Sequence, residues 1–130
     1  MKKNLFYIQI SIISIFLSGC AVKVVHTPEA VSPEILQLSP SKLKNMCDNN
    51  NYKGCLALGS KYLNGDGVAK NIQKAEVVFS KACDGGEMAG CFILGTLHLG
   101  LLDVVNKQKA IAFYTKACNG GFDMACKILE

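Results

Sequence analysis

Six cysteines recur as three copies of one spacing, and no other feature constrains this chain as much. Cys47 and Cys55, Cys83 and Cys91, and Cys118 and Cys126 each enclose seven residues, and successive pairs are displaced by 36 and then 35 residues. A fixed displacement of that size marks a repeat architecture, in which each unit is one supersecondary element stacked on the next. Cysteines phased in this way within a short chain also point to an oxidising compartment.

The residues between the cysteines carry two alternating stripes. Cys55, Leu58, Gly59, Tyr62 and Leu63 fall on one helical face, and Cys91, Leu94, Gly95, His98 and Leu99 repeat the same offsets; these define a helix A. Ala75, Val78, Phe79, Ala82 and Cys83 define a helix B, echoed by Ala110, Phe113, Tyr114, Ala117 and Cys118. Gly59 and Gly95 sit inside helix A, where glycine costs about 1 kcal/mol relative to alanine. Their matched register predicts a close approach by a neighbouring helix. Asn64-Gly65-Asp66-Gly67 separates A from B, and Gly85-Gly86 and Gly120-Gly121 separate B from the next A. Two antiparallel helices per period give an all-α helix-pair solenoid of about two and a half repeats. Ser39-Pro40 reads as an N-cap with proline at the first helical position, opening a short helix to Cys47.

The N-terminus has a different character. Lys2 and Lys3 precede an apolar stretch from Leu5 to Leu17, which at 13 residues is shorter than the ~20 needed to span a bilayer. It reads as an export signal. Leu17-Ser18-Gly19-Cys20 matches the bacterial lipobox, which implies lipidation of Cys20. The expected organisation is a signal peptide over 1–19, lipidated Cys20 with a Pro-containing tether over 20–38, and a repeat domain over 39–130. Ala21 after the cysteine resembles outer-membrane sorting, so the expected location is a membrane-anchored lipoprotein of the periplasm or cell surface. Loss of the signal lowers the net charge from +4 to +2, and all 14 basic residues are lysines. Bidentate phosphate capture favours arginine, so no nucleic-acid partner is expected.

Leu58-Gly59, Tyr62, Gly65, Gly67-Val68, Lys74-Ala75 and Lys81-Ala82-Cys83 resemble a Sel1-like repeat, and Leu94-Gly95, Val104, Lys109-Ala110 and Lys116-Ala117-Cys118 follow the same pattern. The phased cysteines resemble the cysteine-rich branch of that family, the Helicobacter cysteine-rich proteins. The second A–B turn departs from the pattern, having lost a glycine and one residue at Gly100-Leu101-Leu102-Asp103, and His98 stands where tyrosine is usual. Six cysteines allow 15 connectivities. Each pair starts at the end of a helix B and finishes at the start of the next helix A, so the expected bridges are Cys47–Cys55, Cys83–Cys91 and Cys118–Cys126.

Candidate chemistry is sparse. The spacing is too wide for a usual zinc ligand pair, and His26 and His98 lie 72 residues apart, so no metal or other cofactor is expected. The resemblance implies β-lactamase or penicillin-binding activity as an alternative function. Two S-x-x-K matches, from Ser39 and Ser41, are the weak nucleophile candidates, but S-D-N and K-T-G are missing. Asp48, Asp84 and Asn119 each follow a repeat cysteine and read as turn or cap residues. The leading reading is a protein- or peptide-binding scaffold. Its candidate contacts are the polar helix A positions Lys53, Ser60, Lys61, Asn64 and Thr96, facing an envelope protein, a peptide or a peptidoglycan fragment.

Overall fold

The computed structural model describes residues 31–100 and 106–130. The signal segment, Cys20, most of the tether and the second A–B turn lie outside the described residues. Seven helices run through the described chain: α1 (Pro33–Leu36), α2 (Pro40–Asp48), α3 (Tyr52–Asn64), α4 (Ile72–Asp84), α5 (Met88–Gly100), α6 (Lys107–Asn119) and α7 (Asp123–Leu129). Each helix from α2 onward packs on the next, and α1 rests on α3. Helices α3 and α5 are the expected A helices and α4 and α6 the B helices. The described array opens with a half-unit, α2, in the B register and closes with a half-unit, α7, in the A register.

Helix starts are set by side-chain caps. Ser39 Oγ accepts from the Lys42 N–H at 3.4 Å, with Pro40 at the first helical position. Asn51, Asn71 and Asn106 cap α3, α4 and α6 by accepting from Gly54, Lys74 and Lys109 N–H groups at 3.1, 2.8 and 2.9 Å. Such caps contribute about 1 kcal/mol each. Asn71 and Asn106 also close the A–B turns, donating their own N–H groups to the carbonyls of Tyr62 and His98 at 2.8 and 2.9 Å. The residue lost from the second turn therefore leaves this closure intact.

The B–A corners are built alike three times. Asn51, Glu87 and Phe122 donate backbone N–H to Met46, Ala82 and Ala117 at 2.9, 3.0 and 3.0 Å. Each corner needs a left-handed residue, supplied by Gly86 (φ 97°), Gly121 (φ 89°) and, where no glycine stands, Asn50 (φ 63°). The corners bring the paired cysteines to Cα separations of 4.6, 4.7 and 4.8 Å, and all three expected bridges form.

Gly59 and Gly95, inside the A helices, receive the next B helix. A Cβ on Gly59 would lie 2.6 Å from the Phe79 ring, and one on Gly95 would lie 2.7 Å from Tyr114. Both aromatic rings are buried. Burial on the A helices is wider than one stripe, because each is sandwiched between the preceding and following B helices. Leu56, Ala57 and Leu97 are therefore buried, whereas Leu99 at the end of its stripe is exposed. One further difference lies at the N-terminal edge. Residues 31–38 read as tether, yet α1 forms there, and Val31, Ile35 and Leu38 pack against the core.

Candidate functional site

Two open grooves meet on the outer face of α4. One, of about 510 Å³, is lined by Tyr52, Val77, Ser80, Lys81, Asp84 and Gly85. The other, of about 340 Å³, is lined by Tyr62, Asn71, Gln73, Lys74, Val77 and Val78. Val77 belongs to both and is 68% exposed. The Tyr52 ring lies across Gly85, where a side chain would collide with it. At the other end Lys74 Nζ stands 5.8 Å from the centroid of the Tyr62 ring, a cation–π contact. The result is an exposed tract of aromatic, apolar and cationic surface along one helix.

The sequence-derived candidates fall elsewhere. Ser60 Oγ donates to the Leu56 carbonyl at 3.1 Å. Lys61 is tied to Asp66 at 2.7 Å with its side chain only 11% exposed. Thr96 Oγ1 contacts the Phe92 carbonyl at 3.2 Å and the Tyr114 hydroxyl at 3.1 Å. Lys53 is half-buried near the start of α3, and Asn64 is exposed at its end. The side chains of Ser60, Lys61 and Thr96 are thus engaged within the fold, and none of the five candidates lines the grooves on α4.

Ser39 and Ser41 are exposed and their hydroxyls lie 3.1 Å apart. Serine activation by the lysine of an S-x-x-K pair needs a neutral amine. Lys44 is held the other way: its Nζ lies 2.6 Å from Asp48, and that hydrogen bond raises the Lys44 pKa while lowering that of Asp48. Ser39 has a structural role as the α2 cap.

His98 packs inside the junction between repeats, its ring stacked on Phe113 with centroids 5.5 Å apart. Its buried Nε2 lies 3.2 Å from Glu76 Oε1 without forming an aligned hydrogen bond. Burial lowers the His98 pKa below 6.5, Lys109 adds to that, and the Glu76 charge opposes it. Lys109 Nζ itself stands 3.7 Å from Glu76. Among the described residues no group of three or more His, Cys, Asp or Glu side chains could hold a metal ion.

A family model for the Sel1 repeat matches residues 53–87 and 89–122, more than half of the chain. The chain belongs to the Sel1-repeat family. The solved structure of Helicobacter pylori cysteine rich protein B is similar at 37% identity and a TM-score of 0.65, covering 68% of each chain. A Sel1 repeat protein from Oxalobacter formigenes is similar at 27% identity and a TM-score of 0.59, covering 65% of each chain. No curated protein matches significantly.

The two Sel1 repeats can be set side by side through their cysteines and glycines. Lys109 and Lys116 of the second are the counterparts of Lys74 and Lys81 of the first. Lys116 Nζ reaches back 2.8 Å to Asp84, and Lys109 reaches back to Glu76, so the second B helix is tied by charge to the first. Asp84, read from sequence as a turn residue, is thus an inter-repeat ion-pair partner. Residue spacing along the chain gave no sign of this, because the partner lies 32 residues away. The groove was also missed. Its one legible signal was Val77, a large apolar residue standing off the helix B stripe.

Proposed function

We propose that this chain is a recognition scaffold for protein or peptide partners, held at the cell envelope by lipidated Cys20. Sel1 repeats generally mediate protein–protein interaction. The observation that carries the reading is the tract on α4. Val77 is the most exposed of the large apolar side chains in the described chain, and it lies between two tyrosines. Tyrosine, with its large amphipathic face and few rotatable bonds, is a residue type enriched at binding surfaces. An exposed valine at that position adds nothing to the core and favours contact with a partner. Three disulfides favour an extracytoplasmic compartment, which agrees with export directed by the N-terminal segment.

The test uses the full chain expressed with its own signal in a bacterial host. A photoreactive amino acid placed at position 77 is expected to give discrete higher-mass adducts on illumination, and the same group at exposed Lys127 is not. Absence of any adduct from position 77 would refute the recognition reading. The anchor is tested separately: Cys20→Ser should move the protein from the membrane to the soluble fraction and abolish incorporation of labelled palmitate.

A further inference from the structure

In the second repeat Lys109 and Lys116 each pair with a carboxylate of the repeat before it. In the first repeat the counterpart lysines, Lys74 and Lys81, form no direct ion pair with a described residue, although Lys81 lies near enough to Asp48 to help lower its pKa. The cause lies in α2, the half-unit that precedes them. The position equivalent to Glu76 is Pro40, which carries no charge. The position equivalent to Asp84 is Asp48, and Lys44 of the same helix already holds that carboxylate at 2.6 Å. Lys81 donates to the Asp48 carbonyl at 3.5 Å and shares the field of that carboxylate with Lys44, and Lys74 stands over the face of Tyr62.

The repeats also differ in what lies between these lysines. Tyr52, Val77 and Tyr62 become Met88, Ala112 and His98 in the second repeat, while the packing positions Ala75, Phe79, Ala82 and Cys83 are matched by Ala110, Tyr114, Ala117 and Cys118. The framework is therefore satisfied without Val77, while Tyr52 and Tyr62 pack on the core and also line the grooves. Asp84, on the groove rim, is compensated by Lys116 at 2.8 Å, which leaves the tract with two lysines, neither held in a direct ion pair, around an apolar centre.

We infer that this tract binds an extended peptide presenting one apolar side chain between two carboxylates, in the order acidic–x–apolar–x–acidic. The inference rests on the recognition reading above and gives it a site and a ligand class. Lys74 and Lys81 are seven residues apart on one helix, or ~10 Å along its axis. Residues four apart on an extended strand share a face and span ~13 Å, a difference that two long lysine side chains absorb. The central side chain of such a peptide lies over Val77, and its carboxylates meet Lys74 beside Tyr62 and Lys81 beside Tyr52. A neutral glycan matches the tyrosines but leaves both ammonium groups unmatched.

The experiment titrates the oxidised, isotopically labelled full chain with an end-blocked peptide containing Glu-Ser-Leu-Ser-Glu, read by amide chemical shifts. Saturable shifts are expected around Val77, Tyr52 and Tyr62. Replacing both glutamates by glutamine should weaken binding about tenfold, the worth of two exposed charge-assisted contacts. Lys74→Glu with Lys81→Glu should invert the preference toward a peptide with lysine in place of glutamate, while Lys107→Glu with Lys127→Glu leaves affinity unchanged. The inference is overturned if the peptide does not bind, if shifts map away from α4, if the Lys74/Lys81 variant binds as the parent does, or if a muropeptide competes and the glutamine peptide binds equally well. Adducts at position 77 that persist in any of those cases leave the recognition reading standing and remove only the ligand class.

Discussion

Reduction of the three disulfides is expected to unfold this domain. Each bridge joins cysteines 8 apart in sequence. For a loop of nine residues the chain-entropy relation gives about 2.6 kcal/mol at 25 °C. The three loops follow one another without nesting, so their effects on the denatured chain add, to about 8 kcal/mol. A domain of this size has a total stability of roughly 5–15 kcal/mol, and one built from two full helix pairs and two halves buries a small core. Urea denaturation of the oxidised chain, with and without reductant, measures the difference directly. The reduced chain should be largely unfolded in dilute buffer, and any residual transition should have a steeper denaturant dependence because its unfolded state is more expanded. Removing the bridges singly by paired Cys→Ala substitution should cost more at Cys47–Cys55 and Cys83–Cys91, where both residues are buried, than at Cys118–Cys126, where both are half-buried. A reduced chain that keeps the oxidised midpoint, or a ranking in which the terminal pair dominates, would refute the argument.

Gly59→Ala and Gly95→Ala each gain about 1 kcal/mol of helix propensity but force a methyl group against a buried ring, at about 1–3 kcal/mol. Both should lower the melting temperature, and Phe79→Leu should rescue the first variant in a double-mutant cycle. The His98 pKa is lowered in the folded state, so the unfolded chain takes up the proton first. Stability should be full above pH 6.5 and fall as the pH drops below it; His98→Tyr, the residue of the first repeat, should remove that slope in denaturation midpoints between pH 5 and 8. Ser39→Ala should cost about 1 kcal/mol of stability through loss of the α2 cap, measured by thermal unfolding, and leave any β-lactam turnover by the protein unchanged.

The repeat period made most of the fold legible. Cysteine spacing and the flanking glycines located the B–A corners, and the corners determined the pairing. The stripe of α3 was incomplete because Leu56 and Ala57 are covered by a second neighbour, which a one-face pattern cannot register. The caps Asn71 and Asn106 were overlooked although both stand just before helix B, 35 residues apart. The binding positions proposed on helix A depended on whether side chains were free. Lys61 and Thr96 are engaged through Asp66 and Tyr114, and neither partner is implied by the helix A pattern. Pairing at long range was the part that spacing could not convey.

That long-range pairing also explains why a candidate site arises in the first repeat. Glu76 and Asp84 of the first repeat supply carboxylates to Lys109 and Lys116 of the second. The half-unit before the first repeat offers less. Here α2 supplies proline at one position and at the other an aspartate already held by Lys44. Lys74 and Lys81 consequently form no direct ion pair and remain able to meet a partner's carboxylates. Stability need not suffer, because exposed ion pairs contribute little while the covalent corners contribute much. The same covalent support relaxes the demand on the outer residues of α4, so an exposed valine between two tyrosines can be retained there for contact with a partner.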